Sequence, residues 1–141
     1  MTRDQIKQII RQELLKHKDV KIIYLFGSIT KQNFREDSDV DCAVLTEEIN
    51  FFEKYLKTKF IIEEKINRDL DLIDLKSIDP GFAAEIVSKG ELLYSDLKET
   101  AISYKMSVLS DYIQLEEDRK PVIDAIYKRG SVYGSGNIGK D

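Results

Sequence analysis

The chain has 141 residues, 42% of them hydrophobic and 34% charged, with only two prolines, which describes one globular domain able to bury roughly two-thirds of its unfolded surface without disulfides or structural metal. The net charge of −4 argues against a broad nucleic-acid footprint, which needs a basic face, but is compatible with a small anion handled through a metal. The single cysteine, Cys42, excludes an internal disulfide and a multi-cysteine zinc site, and no run approaches the roughly eighteen apolar residues of a membrane span.

The N-terminus, MTRDQIKQII, is charged and periodic rather than signal-like, so a soluble, cytoplasmic protein is expected. Thr2 and Gln5 form a capping box for a first helix that carries Ile6, Ile9, Ile10, Leu14 and Leu15 and ends near His17. Residues 20–26 (VKIIYLF) are β-branched and aromatic, bounded by charge and then by glycine, and read as a buried strand. Gly27-Ser28 turns the chain into a short polar helical stretch over 29–33. A second strand is expected from about Asp39 to Leu45, then a helix over 50–67 whose apolar positions are Phe52, Tyr55, Leu56 and Phe60.

Residues 70–75 (LDLIDL) alternate acid and aliphatic strictly enough for a third strand. Asp79-Pro80 opens the next helix as cap and first-turn proline, Gly90 closes it, and Leu92–Tyr94 add a short fourth strand. Asp96 and Glu99 start a further helix with Ile102, Met106, Leu109 and Ile113 on one stripe. Pro121 is expected to break or restart it before Arg129. The tail GSVYGSGNIGKD holds four glycines and little to bury. The fold class is therefore α/β (α+β), a small mixed sheet flanked by helices. Residues 1–95 are the core, 96–129 a C-terminal helical appendage and 130–141 a flexible tail.

The chemistry concentrates in GSITKQNFREDSDVD, residues 27–41, with ten residues between Ser28 and Asp39. Gly27 has no Cβ, so the backbone can turn sharply and bring its amide close to a phosphate. Ser28 stands where a short helix begins and free amides point at an anion. Asp39 and Asp41, two apart on a strand, project from one face and repel, which favours a divalent cation. Magnesium, with its preference for hard oxygen ligands completed by water and phosphate, suits them. Asp71 on the next strand can face the same place and take a proton from an incoming hydroxyl. Asp69 and Asp74 flank it, so the register of the third acid is open at this point.

Gly-Ser, ten residues, Asp-x-Asp and a third-strand acid together resemble the minimal nucleotidyltransferase (MNT) domain of the DNA polymerase β-like superfamily. More narrowly, the chain resembles the MNT antitoxins paired with HEPN ribonuclease toxins, over roughly residues 1 to 95. The resemblance implies a nucleotidyltransferase fold and a Mg2+-dependent transfer of AMP from ATP to a tyrosine of a HEPN toxin, which silences it. It implies that Gly27 and Ser28 contact the nucleotide phosphates. Asp39 and Asp41 would hold the metal, with Asp71 as third catalytic carboxylate and metal ligand. Lys31, at the basic position of GS-x-x-[RK], would reach the triphosphate. The apolar stripe after Asp96 is expected to dock the toxin, in a hetero-oligomer without nucleic acid or membrane.

Two other functions fit the same residues: an antitoxin that blocks its toxin by binding alone, and an adenylyltransferase for a small molecule. An intact acidic triad speaks against the first, because clustered carboxylates are costly to keep without a cation. The few residues after the core speak against the second. Cys42 reads as a small buried hydrophobe facing away from the acids, and His17 as a cation at a helix C-terminus. Tyr104, Tyr112 and Tyr127 fit either partner anchors or core.

Overall fold

In the computed structural model, which describes residues 1–130 and side chains through residue 121, β1 (Val20–Phe26) is the central strand. It is hydrophobic at nearly every position because both of its faces are covered. Before it comes α1 (Arg3–Leu14). After it come a short 3-10 helix (Gly27–Thr30), β2 (Val40–Thr46), α2 (Phe51–Ile66), β3 (Leu70–Asp74), α3 (Pro80–Lys89), β4 (Glu91–Ser95) and α4 (Lys98–Gly130). The strand order is β3-β2-β1-β4. β1 runs antiparallel to β2 and β4, while β2 and β3 are parallel and joined by α2. A mixed sheet with helices on both faces is the expected class.

Two hydrophobic layers hold the sheet. On one face Ile6, Ile10 and Leu14 of α1 and Phe51, Tyr55, Ile62 and Ile66 of α2 pack on Ile23, Leu25, Val40, Cys42 and Val44. On the other, Ala83, Ala84, Ile86 and Val87 of α3 and Val108 of α4 pack on Ile22, Tyr24 and Ala43. A bulge between Val20 and Ile22 shifts the phase of β1, so that Val20 serves the first layer and Ile22 the second. The Thr2–Gln5 capping box is present, and Asp79 caps α3 by accepting from the Phe82 amide at 2.9 Å. Among the described residues no helix is long and apolar enough to cross a membrane.

Several expectations shift. α1 ends at Leu14, so His17 is not in its last turn. The imidazole lies instead 4.1 Å from the Tyr55 ring with Nε2 2.6 Å from the Thr58 hydroxyl, and burial lowers its pKa, the opposite of a dipole-stabilised cation. The helical turn starts at Gly27 rather than Ile29. α2 buries the stripe Phe51, Tyr55, Thr58, Ile62 and Ile66, and leaves Phe52 and Phe60 exposed, because the segment carries two apolar stripes and only one can face the sheet. α4 passes Pro121 without ending: the proline removes one N–H from the ladder and the helix continues on both sides. Its buried face is Ala101 and Val108, flanked by Tyr104, Leu109 and Tyr112. Of the expected stripe only Leu109 reaches the core, while Ile102, Met106 and Ile113 are exposed. The glycine-rich tail after Gly130 and the Tyr127 side chain lie outside the described residues.

The junction of α3 and β4 leaves no room for a side chain. A Cβ on Gly90 would lie 2.5 Å from the Ile86 carbonyl oxygen and 2.8 Å from that of Leu25, both backbone atoms. Gly90→Ala should therefore lower stability by about 1–3 kcal/mol through overpacking. Urea unfolding checks this, and an unchanged midpoint would contradict the tight seating of α3 on β1.

Candidate active site

The end of β1 forces a sharp turn. Phe26 is extended, and Gly27 follows at φ 74°, a left-handed conformation open to glycine at little cost. The same glycine makes space: a Cβ there would fall 2.3 Å from Asp41 Oδ2, so the carboxylate occupies the volume a side chain would need. The Thr30 hydroxyl donates to the Gly27 carbonyl at 2.7 Å, and the Lys31 amide to that of Ser28 at 2.9 Å, which closes the turn. Gly27 and Ser28 are half-buried at its start, and Lys31 is exposed as its C-terminal cap.

Asp41 is the second residue of β2, opposite Phe26 on β1 and opposite Asp71 on the parallel β3. Its neighbours Val40 and Cys42 point into the α1–α2 layer, so Asp41 faces the α3 side. Cys42 is fully buried, and burial pushes its thiol far up, in keeping with an inert hydrophobe. The Asp41 carboxyl is raised above the ordinary carboxylate range, first by burial, then by the charges of Asp71 and Asp39. Asp39 itself precedes β2 by one residue and is exposed. It lies outside the strand, yet close enough to contribute to that shift.

The flanking acids of β3 are differently placed. Asp74 is taken up by its own turn, accepting from the Ser77 hydroxyl at 2.9 Å and the Lys76 amide at 3.1 Å, with the Lys76 ammonium 3.6 Å away. Asp69 lies before the strand, and its carbonyl accepts from the Val40 amide. Of the three, Asp71 alone is the register partner of Asp41 and acts on its proton affinity.

Two arginines that the sequence reading passed over fix the loop that carries Asp39. Arg68 donates to the Ser38 carbonyl at 2.9 Å and to that of Arg35, and its guanidinium covers the Phe34 ring at 4.3 Å. Arg3, from the first turn of α1, covers Phe34 from 5.4 Å and donates to the Lys31 carbonyl. Neither carries a motif; their partners are distant in sequence and meet them only in the fold. On the α3 side, Phe26, Gly27, Thr30, Lys31, Asp41, Phe82, Glu85, Ile86 and Lys89 line a cleft of about 280 Å³.

Among the described residues no three acidic, histidine or cysteine side chains gather closely enough to chelate an ion alone. A magnesium ion at these acids would have to complete its shell with water and phosphate oxygens. The donor set fits: hard oxygens only, and an Asp41 carboxyl whose ionisation is opposed by its neighbours until a cation offsets them.

A turn that can present amides to an anion, beside acids suited to a hard cation, is the equipment of phosphoryl chemistry, and the relatives of the chain agree. It is 26% identical to protein adenylyltransferase MntA of Shewanella oneidensis over 128 residues, covering 89% of this chain and 88% of that protein. A solved complex of a tri-AMPylated Shewanella oneidensis HEPN toxin with an MNT antitoxin matches its fold with a TM-score of 0.72 at 22% identity, over 89% of this chain and 98% of the matched one. A toxin–antitoxin structure with AMP-PNP matches with a TM-score of 0.72 at 23% identity and the same coverage. Residues 5–99 match the family model described as polymerase beta, nucleotidyltransferase, and the chain belongs to that family.

Proposed function

We propose that this chain is an antitoxin that transfers AMP from ATP to a tyrosine of a cognate HEPN ribonuclease toxin, with magnesium held at Asp39, Asp41 and Asp71. The observation that carries the reading is the in-register pair Asp41–Asp71, set against a glycine turn whose missing Cβ makes room for the Asp41 carboxylate. The similarity to protein adenylyltransferase MntA supports the activity. The fold shared with chains of toxin–antitoxin complexes, one with a tri-AMPylated toxin and one with AMP-PNP, supports the partner and the nucleotide.

Bound between these carboxylates, magnesium would supply charge neutralisation for the phosphates. The protein's own contributions are positional. The amides of the Gly27–Thr30 turn receive phosphate oxygens, and Lys31 at its end adds a cation. Asp39 and Asp41 orient the donor. Asp71, exposed on the edge strand, meets the acceptor. The tyrosine oxygen attacks the α-phosphorus in line, and its proton passes to Asp71, which matters because a phenol titrates near about 10. The bond from the α-phosphorus to the bridging oxygen breaks, and pyrophosphate leaves with the electron pair. In the same proposal the core spans residues 1–95, and the segment after it contacts the toxin. Ile102, Met106 and Ile113 of α4 form the exposed stripe available for that contact.

Asp39→Asn and Asp41→Asn should each lower transfer of labelled AMP to the co-purified toxin by roughly a hundredfold or more while leaving the fold intact. Full activity in either variant would remove the assignment. Asp71→Asn should reduce turnover far more than affinity for Mg-ATP, and calorimetry beside the transfer assay separates the two. Equal loss in Asp69→Asn or Asp74→Asn would place the third acid elsewhere.

The raised Asp41 carboxyl sets a pH signature. A folded-state pKa above the unfolded one means that ionising Asp41 opposes folding, so its favourable contribution is complete below the unfolded value and disappears as pH rises through the folded one. Without metal, Asp41→Asn should melt higher than the natural chain at pH 7, with the difference fading as the pH falls to about 4. A gain that persists undiminished at low pH would show that repulsion is not its source.

A further inference from the structure

The cleft beside Asp41 contains groups that neither the acid cluster nor the glycine turn accounts for. It opens directly from the site, since Gly27 and Asp41 are among its lining residues. Its opposite wall is the last two turns of α3, which contribute Glu85, Ile86 and Lys89, with Phe82 meeting Phe26 edge to face at 5.6 Å. Lys31 and Lys89 thus reach one 280 Å³ space from elements far apart in sequence. Among the described residues neither ammonium has a carboxylate partner within ion-pair distance. Glu85 stands four residues before Lys89, the spacing at which such a pair forms readily on a helix, yet no ion pair joins the two.

From this arrangement, and resting on the nucleotidyl-transfer reading above, we propose that Lys89 is a binding residue for the β- and γ-phosphates of the donor. It would act with Lys31, and the cleft would hold the pyrophosphate as it leaves.

The electrostatics run in one direction across the site. Asp39, Asp41 and Asp71 make one end acidic and call for a cation at the α-phosphate. A triphosphate carries more negative charge than one magnesium removes, and the excess lies toward the γ end. Lys31 and Lys89, which line the same cleft as Asp41, are the cations available to meet that excess. Phe26, Phe82 and Ile86 give the cleft apolar walls, while Lys31 and Lys89 are both exposed. Glu85 lines the same space and opposes an anion there. Its exposure tempers that opposition, and it leaves the phosphates closest to the lysines as the favourable arrangement.

Position is fixed by packing. Lys89 is the last residue of α3, and the next residue is Gly90, wedged against the Ile86 and Leu25 carbonyls. The stem of Lys89 therefore starts from a point with little freedom relative to β1 and the Gly27 turn. When the bond between the α-phosphorus and the bridging oxygen breaks, the electron pair goes to the pyrophosphate. A cation at the β-phosphate stabilises that developing charge. The placement of Lys89 in the last turn of a helix also suits the helix dipole, a role that would make no distinction among nucleotides.

The test uses the full chain with Lys89→Ala, Lys89→Gln and Lys89→Arg, and reads binding as well as turnover. Calorimetry with Mg-ATP, Mg-pyrophosphate and AMP should show affinity for the first two falling about tenfold in Lys89→Ala and Lys89→Gln, and AMP binding unchanged. Lys89→Arg should recover most of the loss. In the transfer assay, product inhibition by pyrophosphate should weaken by a similar factor. Equal losses for ATP and AMP, or no loss for pyrophosphate, would overturn the role of Lys89 while leaving the transfer reading standing. A natural chain that binds ATP and pyrophosphate no better than Asp41→Asn does would overturn both.

Discussion

The pairing of β2 with β3 is the constraint on which the site depends. Among the described residues it is the one parallel ladder in a sheet that is otherwise antiparallel, and it sets Asp41 opposite Asp71. A slip of one residue would turn Asp71 to the α1–α2 side and bring Leu70 or Leu72 beside Asp41. Parallel strands need a long crossover, and α2 supplies it while burying its own apolar stripe beneath the same two strands. The crossover thus builds the first hydrophobic layer and fixes the register of the acids in a single element.

The cost of that arrangement is electrostatic, and the fold is built to carry it. Asp41 is half-buried beside two acids, which raises its proton affinity, and its carboxylate lies in the space left by a glycine held at φ 74°. Asp39 is on a loop, yet the loop is restrained: Phe34 is covered by Arg3 and Arg68, which also bond the carbonyls of Lys31 and Ser38. The repulsion concentrated around Asp41 makes sense as preparation for a cation, which favours the ionised carboxylate that the free protein opposes.

Much of this was legible along the chain because the motif is local. Gly27-Ser28 and Asp39-x-Asp41 lie at the facing ends of two adjacent strands, so their sequence spacing reports a spatial one. β1 announced itself as buried on both faces, and Thr2 and Asp79 marked helix starts by chemistry confined to a few residues. What was not legible depends on how elements meet. α2 has Phe52, Leu56 and Phe60 on one stripe and Phe51, Tyr55, Thr58 and Ile62 on another, and periodicity alone cannot say which faces the sheet. The rank of Asp71 over Asp69 and Asp74 needed the β2 register. Arg68 and Lys89 acquire meaning only where β3 nears the Asp39 loop and α3 nears the Gly27 turn.

The central claim, that the acids serve transfer of AMP to a protein partner, is tested most directly by intact-mass spectrometry of a candidate HEPN partner. The partner and this chain are purified separately, then combined with ATP and magnesium. The account predicts gains of about 329 Da per group, localised to tyrosine by fragmentation and absent when Asp41→Asn replaces the natural chain. A partner that is inhibited in the complex yet keeps its unmodified mass would contradict it, and would make the chain an inhibitor that acts by binding alone.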